Sequence, residues 1–156
     1  MQEQKAGYLK SLKIIHTALL AGQCIFLAVM VFLVIRKSMR PVDPSLDKIL
    51  QVVALLVSFA AVFVSINIFK KKLQNINATA ENATEKSTPY RAANIMKWAM
   101  IEGASLFSII GFFLTGNYSF AALAVFLIVF FAMQAPSKIK IMLHLQISEQ
   151  EADELE

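Results

Sequence analysis

The sequence predicts an all-α membrane protein with four transmembrane helices in an antiparallel bundle. Two observations carry that expectation. Hydrophobic residues make up 57% of the chain and charged residues only 17%, and the apolar residues gather into four long runs separated by short polar segments. A water-soluble domain of this size rarely carries so much apolar surface. Hydrocarbon offers backbone N–H and C=O groups no partner, so each run that crosses a bilayer must satisfy them within itself, as a helix.

The first run, Leu12–Ile35, follows Lys5, Lys10 and overlaps Lys13. A basic lead before an apolar stretch is also the pattern of a secretory signal. This run, however, exceeds the roughly 7–15 residues of a signal core and no small-x-small cleavage site follows it, so it reads as an uncleaved anchor. Pro41 and Pro44 interrupt the connection to the second run, Ile49–Phe69. Asp43 before Pro44 supplies a cap and then a residue whose missing N–H costs nothing at the first helical position, so the second helix is expected to start a turn before its apolar core. Its exit, Lys70, Lys71 and Lys72, sets ammonium groups at the level of lipid headgroups.

Leu73–Thr88 is rich in Asn, Thr, Ala and Glu and has no sustained period. It is expected to be a polar loop, with a helical extension of the second span at its start. Ser87 or Thr88 before Pro89 repeats the cap-then-proline signal. The third helix is therefore expected to begin near Pro89, with its apolar run at Ile95–Leu114 and with Tyr90, Arg91, Lys97 and Trp98 in an interfacial collar. Gly116-Asn117 suits a tight reversal into the fourth run, Tyr118–Met133. At about 1.5 Å per residue that run reaches roughly 24 Å, short for a bilayer.

After Pro136, Lys138–Ile147 alternates polar and apolar residues, the period of a half-buried strand. A lone strand beside a membrane has nothing to pair with, which favours a surface helix with its apolar residues in the interface. Ser148 and Glu151 have the spacing of a capping box, so the acidic end either starts a short helix or frays. The chain thus divides into a transmembrane part, residues 1–135, and an amphipathic segment with an acidic tail, residues 136–156.

Orientation follows from Lys and Arg in the short loops. Four spans put the N-terminus, the middle loop and the C-terminus on one side, with eleven basic residues against four on the other. Both termini are expected in the cytoplasm, and the membrane is expected to be a bacterial inner membrane. The Asn-x-Ser/Thr sequons at Asn77, Asn82 and Asn117 read as chance, the first two being cytoplasmic and the third too close to the bilayer. A single cysteine, Cys24, rules out an intrachain disulfide.

Residues 18–26 and 99–107 match at their small residues and at a phenylalanine, which suggests two tandem helical hairpins. Ala18/Gly22 and Ala99/Gly103 are small-x-x-x-small pairs, and the first and third helices are expected to touch there. Glu102, beside Gly103, is the one acid inside a span. Such residues normally face protein or water and have a partner; His16 and Gln23 lie at similar depth on the first helix. Glu102 is therefore either a proton or cation site, with His16 and Gln23 as neighbours, or an acid that joins two helices. Two His, one Cys and no clustered carboxylates give no expectation of a metal. Without a phosphate loop, a nucleophile elbow or paired catalytic carboxylates, no enzyme, cofactor or nucleic-acid partner is expected.

Trp98-Ala-Met-Ile-Glu102-Gly103 resembles the glutamate-bearing helix of small four-helix multidrug transporters, although in that family the acid lies on the first helix. The hairpin repeat with one membrane glutamate resembles the proteolipid ring subunits of rotary ATPases, whose glycine-repeat helix is missing here. Over its whole length the chain resembles the small four-span inner-membrane proteins of bacteria, a resemblance that implies no activity. The sequence therefore points to a non-enzymatic structural or accessory membrane component. Its partners would be membrane lipid, a second copy, or a protein met by the acidic tail. The alternative is a small proton- or cation-coupled transporter using Glu102.

Overall fold

A computed structural model describes residues 7–36, 44–153 and 155. The described residues form six helices: α1 (Tyr8–Ile35), α2 (Pro44–Thr79), α3 (Ala83–Thr115), α4 (Tyr118–Met133), α5 (Lys138–Leu145) and α6 (Glu149–Asp153). They are 89% helical and contain no strand. Helices α1, α2 and α3 are each long and apolar enough to cross a membrane, and α4 joined to the bent α5 makes a fourth candidate. Much of their apolar surface points outward, as at Ile25 (65% exposed), Phe59 (77%) and Phe126 (63%). Water would tolerate no such surface over this extent, whereas hydrocarbon does. The described residues thus hold three to four helices with the length and hydropathy of membrane spans, as in a membrane protein.

Helix α3 is the hub. It packs against α2, α4 and α1, while α1 and α2 have little contact with each other. α1 and α3 run in the same direction, since Tyr8 meets Ser87 and His16 meets Trp98 further along both.

The segment expected to be a polar loop is mostly helix. Helix α2 continues to Thr79, and only Ala80–Asn82 separates it from α3. The cause is a reciprocal cap. The Asn82 side chain accepts from Glu85 N (3.0 Å), and the Glu85 carboxylate takes Asn82 Nδ2 (3.1 Å) and Glu81 N (3.2 Å); such caps satisfy donors that a helix start leaves free. Leu73, Ile76 and Ala83 pack into the main apolar cluster and hold the extension in place. Pro89 lies inside α3 instead of opening it. At the other end of α2, Pro44 is the first helical residue as expected, and Asp43 lies outside the described residues.

Gly116 closes α3 in the left-handed region (φ 68°), donating to Phe112 O. Asn117 stays extended and caps α4 by accepting from Ser119 N at 2.9 Å. The hairpin below this turn is tight, because a Cβ on Gly111 would come within 2.6 Å of the Phe120 ring.

Residues 138–145 are helix, not strand. Ser137 caps α5 from Lys140 N, and Gln146 ends it with φ 52°. The Ser148–Glu151 box forms in both directions, Ser148 N to Glu151 Oε2 at 2.8 Å and Glu151 N to Ser148 Oγ at 3.3 Å, and α6 follows it. Lys138 pairs with Asp153 and Glu149 of that helix. Ile141, Leu145 and Leu155 bury themselves against Tyr8, Leu9 and Leu12, so the two ends of the chain share one apolar cluster.

The small-residue pairs do not mediate the α1–α3 contact. Ala18, Gly22, Ala99 and Gly103 are all exposed, with open space beside both glycines. α1 turns Leu12, His16 and Gln23 inward instead, and α3 turns Trp98, Ile101 and Ser105. The larger side chains win because each buried contact adds dispersion energy that small residues cannot supply. Two substitutions separate these positions. Gly111→Ala should lower the stability of the detergent-solubilised protein by about 1–3 kcal/mol through overpacking against Phe120, whereas Gly103→Ala should leave it within about 0.5 kcal/mol; unfolding midpoints of the two variants provide the comparison.

Candidate functional site

The three residues singled out for ion or proton chemistry are close in depth but are not joined to one another. His16 is buried between α1, α3 and α4; its Nε2–H donates to Phe131 O at 3.0 Å. Its ring stacks on Phe131 (4.6 Å between centroids) and meets Trp98 edge-on (5.0 Å). Gln23 is fully buried and donates weakly to Leu19 O at 3.4 Å, while its Oε1 has no partner among the described residues. Glu102 is half-buried and makes no hydrogen bond or ion pair among the described residues.

The α1–α3 register follows from the His16–Trp98 contact. Seven residues are close to two helical turns, so Gln23 and Ser105 share one depth further into the span, and the Ser105 hydroxyl is likewise buried without a partner. The expected junction of Glu102 with His16 or Gln23 is absent because both of those side chains bond to main-chain carbonyls of α4 and α1.

The densest polar cluster lies where the termini meet, and sequence reasoning did not find it. The Lys97 ammonium sits 4.2 Å from the Phe69 ring centre, a cation–π distance, and donates to Gln134 Oε1 at 3.2 Å. Lys97 and Trp98 are both buried, so this part of the expected collar faces inward. Lys86 Nζ donates to Leu145 O (2.8 Å), Asn77 Nδ2 to His144 O (2.8 Å), and the Tyr8 hydroxyl to Ser87 O (2.6 Å). One proton bridges the Tyr90 hydroxyl and His144 Nδ1, 2.8 Å apart, and Phe69 packs edge-on to the His144 ring. Lys140 Nζ donates to Met133 O (2.9 Å) and Ala135 O (2.8 Å).

Lys86, Tyr90 and Lys97 fall at helical spacing on one face of α3. That stripe was legible in principle, but only to a reading that starts the helix before Pro89. Lys70 and Lys71 are exposed at the same end, while Lys72 is half-buried.

Chemically, the cluster is a set of staples. Asn77, Lys86 and Lys140 each donate to main-chain carbonyls, which fixes backbone ends that would otherwise be left without partners. Among the described residues no three His, Cys, Asp or Glu side chains converge. No family model, curated protein or solved structure matches the chain.

His144 reports on this cluster. Burial pushes its pKa down, and the nearby Lys97 and Lys140 push in the same direction. A histidine whose folded pKa lies below its unfolded value protonates first in the unfolded chain, so its contribution to stability is intact above about pH 6.5 and is lost as pH falls below that value. The thermal midpoint should therefore drop more between pH 7.5 and pH 5 in the unaltered protein than in His144→Gln, as followed by circular dichroism in detergent.

Proposed function

We propose that this chain is a non-enzymatic component of a bacterial inner membrane, a four-span antiparallel bundle whose cytoplasmic end serves as a docking platform. The observation that carries the reading is the use to which the polar side chains are put. Tyr8, Asn77, Lys86 and Lys140 all donate to main-chain carbonyls, and together they hold the start of α1 and the whole of α5 in a fixed shape. A rigid, basic surface of this kind suits the recruitment of anionic lipid or a protein partner. Exposed Lys10, Lys13, Lys70 and Lys71 supply charge for it, at about 1 kcal/mol for each residue near an anionic leaflet. The expected role of Glu102 as internal glue receives no support, since that carboxyl touches no partner among the described residues.

The same isolation of Glu102 is what favours the second reading, a small proton- or cation-coupled transporter. An unpaired acid in a span is a functional site by default, and the buried, partnerless Gln23 Oε1 and Ser105 hydroxyl lie on the adjoining seam. Glu102→Gln keeps shape and hydrogen bonding while removing the charge. As a platform, the protein should assemble with an unchanged melting midpoint and show no pH-dependent ion flux in proteoliposomes, before or after the substitution. Flux in the unaltered protein that Glu102→Gln abolishes would establish the transporter instead.

A further inference from the structure

Helix α4 is too short for its task. Its sixteen residues rise about 24 Å against a hydrocarbon core of roughly 30 Å. At Met133 the chain bends by 76° into α5, so α5 runs nearly across the direction of α4 and does not extend it. One face of α5 is fixed. Ile141 and Leu145 are buried, and the carbonyls of His144 and Leu145 are held by Asn77 and Lys86. The other face presents Ile139 (69% exposed) and Leu143 (73% exposed), four residues apart and thus neighbours on one side of the helix. Met133, at the end of α4, is 70% exposed, and Ala135 in the bend is exposed as well, so exposed apolar residues recur along the chain from α4 onto α5.

We infer that α5 is seated in the acyl–headgroup boundary of the leaflet on the terminal side, with Ile139 and Leu143 among the upper acyl carbons. The occupant of this face is the bilayer itself. Three features select it over a protein. The exposed residues of α5 follow, along the chain, an apolar helix whose outer side is exposed at Val125, Phe126, Val129 and Met133, and the 76° bend turns α5 across an upright α4, the attitude of an interfacial helix. The eight residues of α5 include no acid, so nothing on the helix itself repels anionic headgroups, while its two lysines are engaged, Lys138 with Glu149 and Asp153 and Lys140 with main-chain carbonyls. The placement also relieves the shortness of α4, because an in-plane helix at its foot lets the bilayer thin locally where the span ends. The Lys140 bonds to Met133 O and Ala135 O satisfy the carbonyls that such a break would otherwise leave bare at the edge of hydrocarbon. This seating requires only that the helices cross a bilayer and is independent of the platform reading.

Site-directed spin labelling of the full chain in nanodiscs of phosphatidylcholine and phosphatidylglycerol tests the inference. In a Cys24→Ser background, a nitroxide is placed at Ile139→Cys or Leu143→Cys, both exposed and therefore tolerant of the label. Ile25→Cys in α1 is the lipid reference and Gln150→Cys in α6 the aqueous one. At 139 and 143, collision with oxygen should exceed that at 150 and collision with a water-soluble nickel chelate should fall below it, at a depth shallower than residue 25. Labels as accessible to nickel as residue 150 would place the face in water and overturn the proposal. Labels shielded from both reagents would overturn it in favour of protein cover, a second copy if spin–spin broadening accompanies the shielding.

Discussion

The contact on which the terminal end of the molecule depends is the Lys140 ammonium held between Met133 O and Ala135 O. A helix that stops at the edge of hydrocarbon leaves up to four carbonyls without donors, and no solvent there can serve them cheaply. One lysine, in the first turn of α5, supplies two donors and so allows α4 to end and α5 to turn away. Everything beyond the bend then follows. Ile141 and Leu145 fall onto Tyr8, Leu9 and Leu12, the end of α5 comes within reach of Asn77 and Lys86, and the last residues close back on α1 through Leu9 N to Leu155 O.

That closure explains why α2 and α3 extend so far past their apolar cores. Asn77 and Lys86 lie in the stretch with no visible period, Leu73–Thr88. Its helices gain less from intrinsic propensity than from burying Leu73, Ile76 and Ala83 and from donating to α5. Tertiary packing routinely overrides local preference, and short polar helices form where a neighbour needs them.

The long apolar helices were legible because one signal, hydropathy, determines them. Tyr118–Met133 emerges with the bounds its hydropathy implied, set by Asn117 as cap and by the polar Gln134. The local period of Lys138–Ile147 pointed to a strand, and only the lack of a partner strand favoured the helix that forms; the Ser148–Glu151 box left a short helix and a frayed end equally open. What sequence could not supply was facing. Ala18/Gly22 and Ala99/Gly103 satisfy a known contact spacing, yet they point outward, because apolar helices carry several faces able to pack and only the whole set of neighbours chooses between them. The cluster around His144 was hidden for the same reason. Its members, Phe69, Tyr90, Lys97 and His144, come from three helices, and no spacing along the chain links them.

The electrostatics at the two levels of the α1–α3 seam argue for different roles. Near the terminal end, Lys97 is buried with a neutral partner, Gln134, and an aromatic face, Phe69, an arrangement that retains a cation without the rigid demand of a carboxylate. Further in, Glu102 has no counter-charge among the described residues, although Lys97 lies five residues away on the same helix. Five residues are not a shared helical face, and the two groups stay separate: the lysine is spent on structure and the acid is left unengaged. A residue whose only role was to join α1 to α3 would be expected to touch α1. His16 and Gln23, the groups it could touch, are already bonded elsewhere. Among the described residues, then, packing does not require an acid at this position.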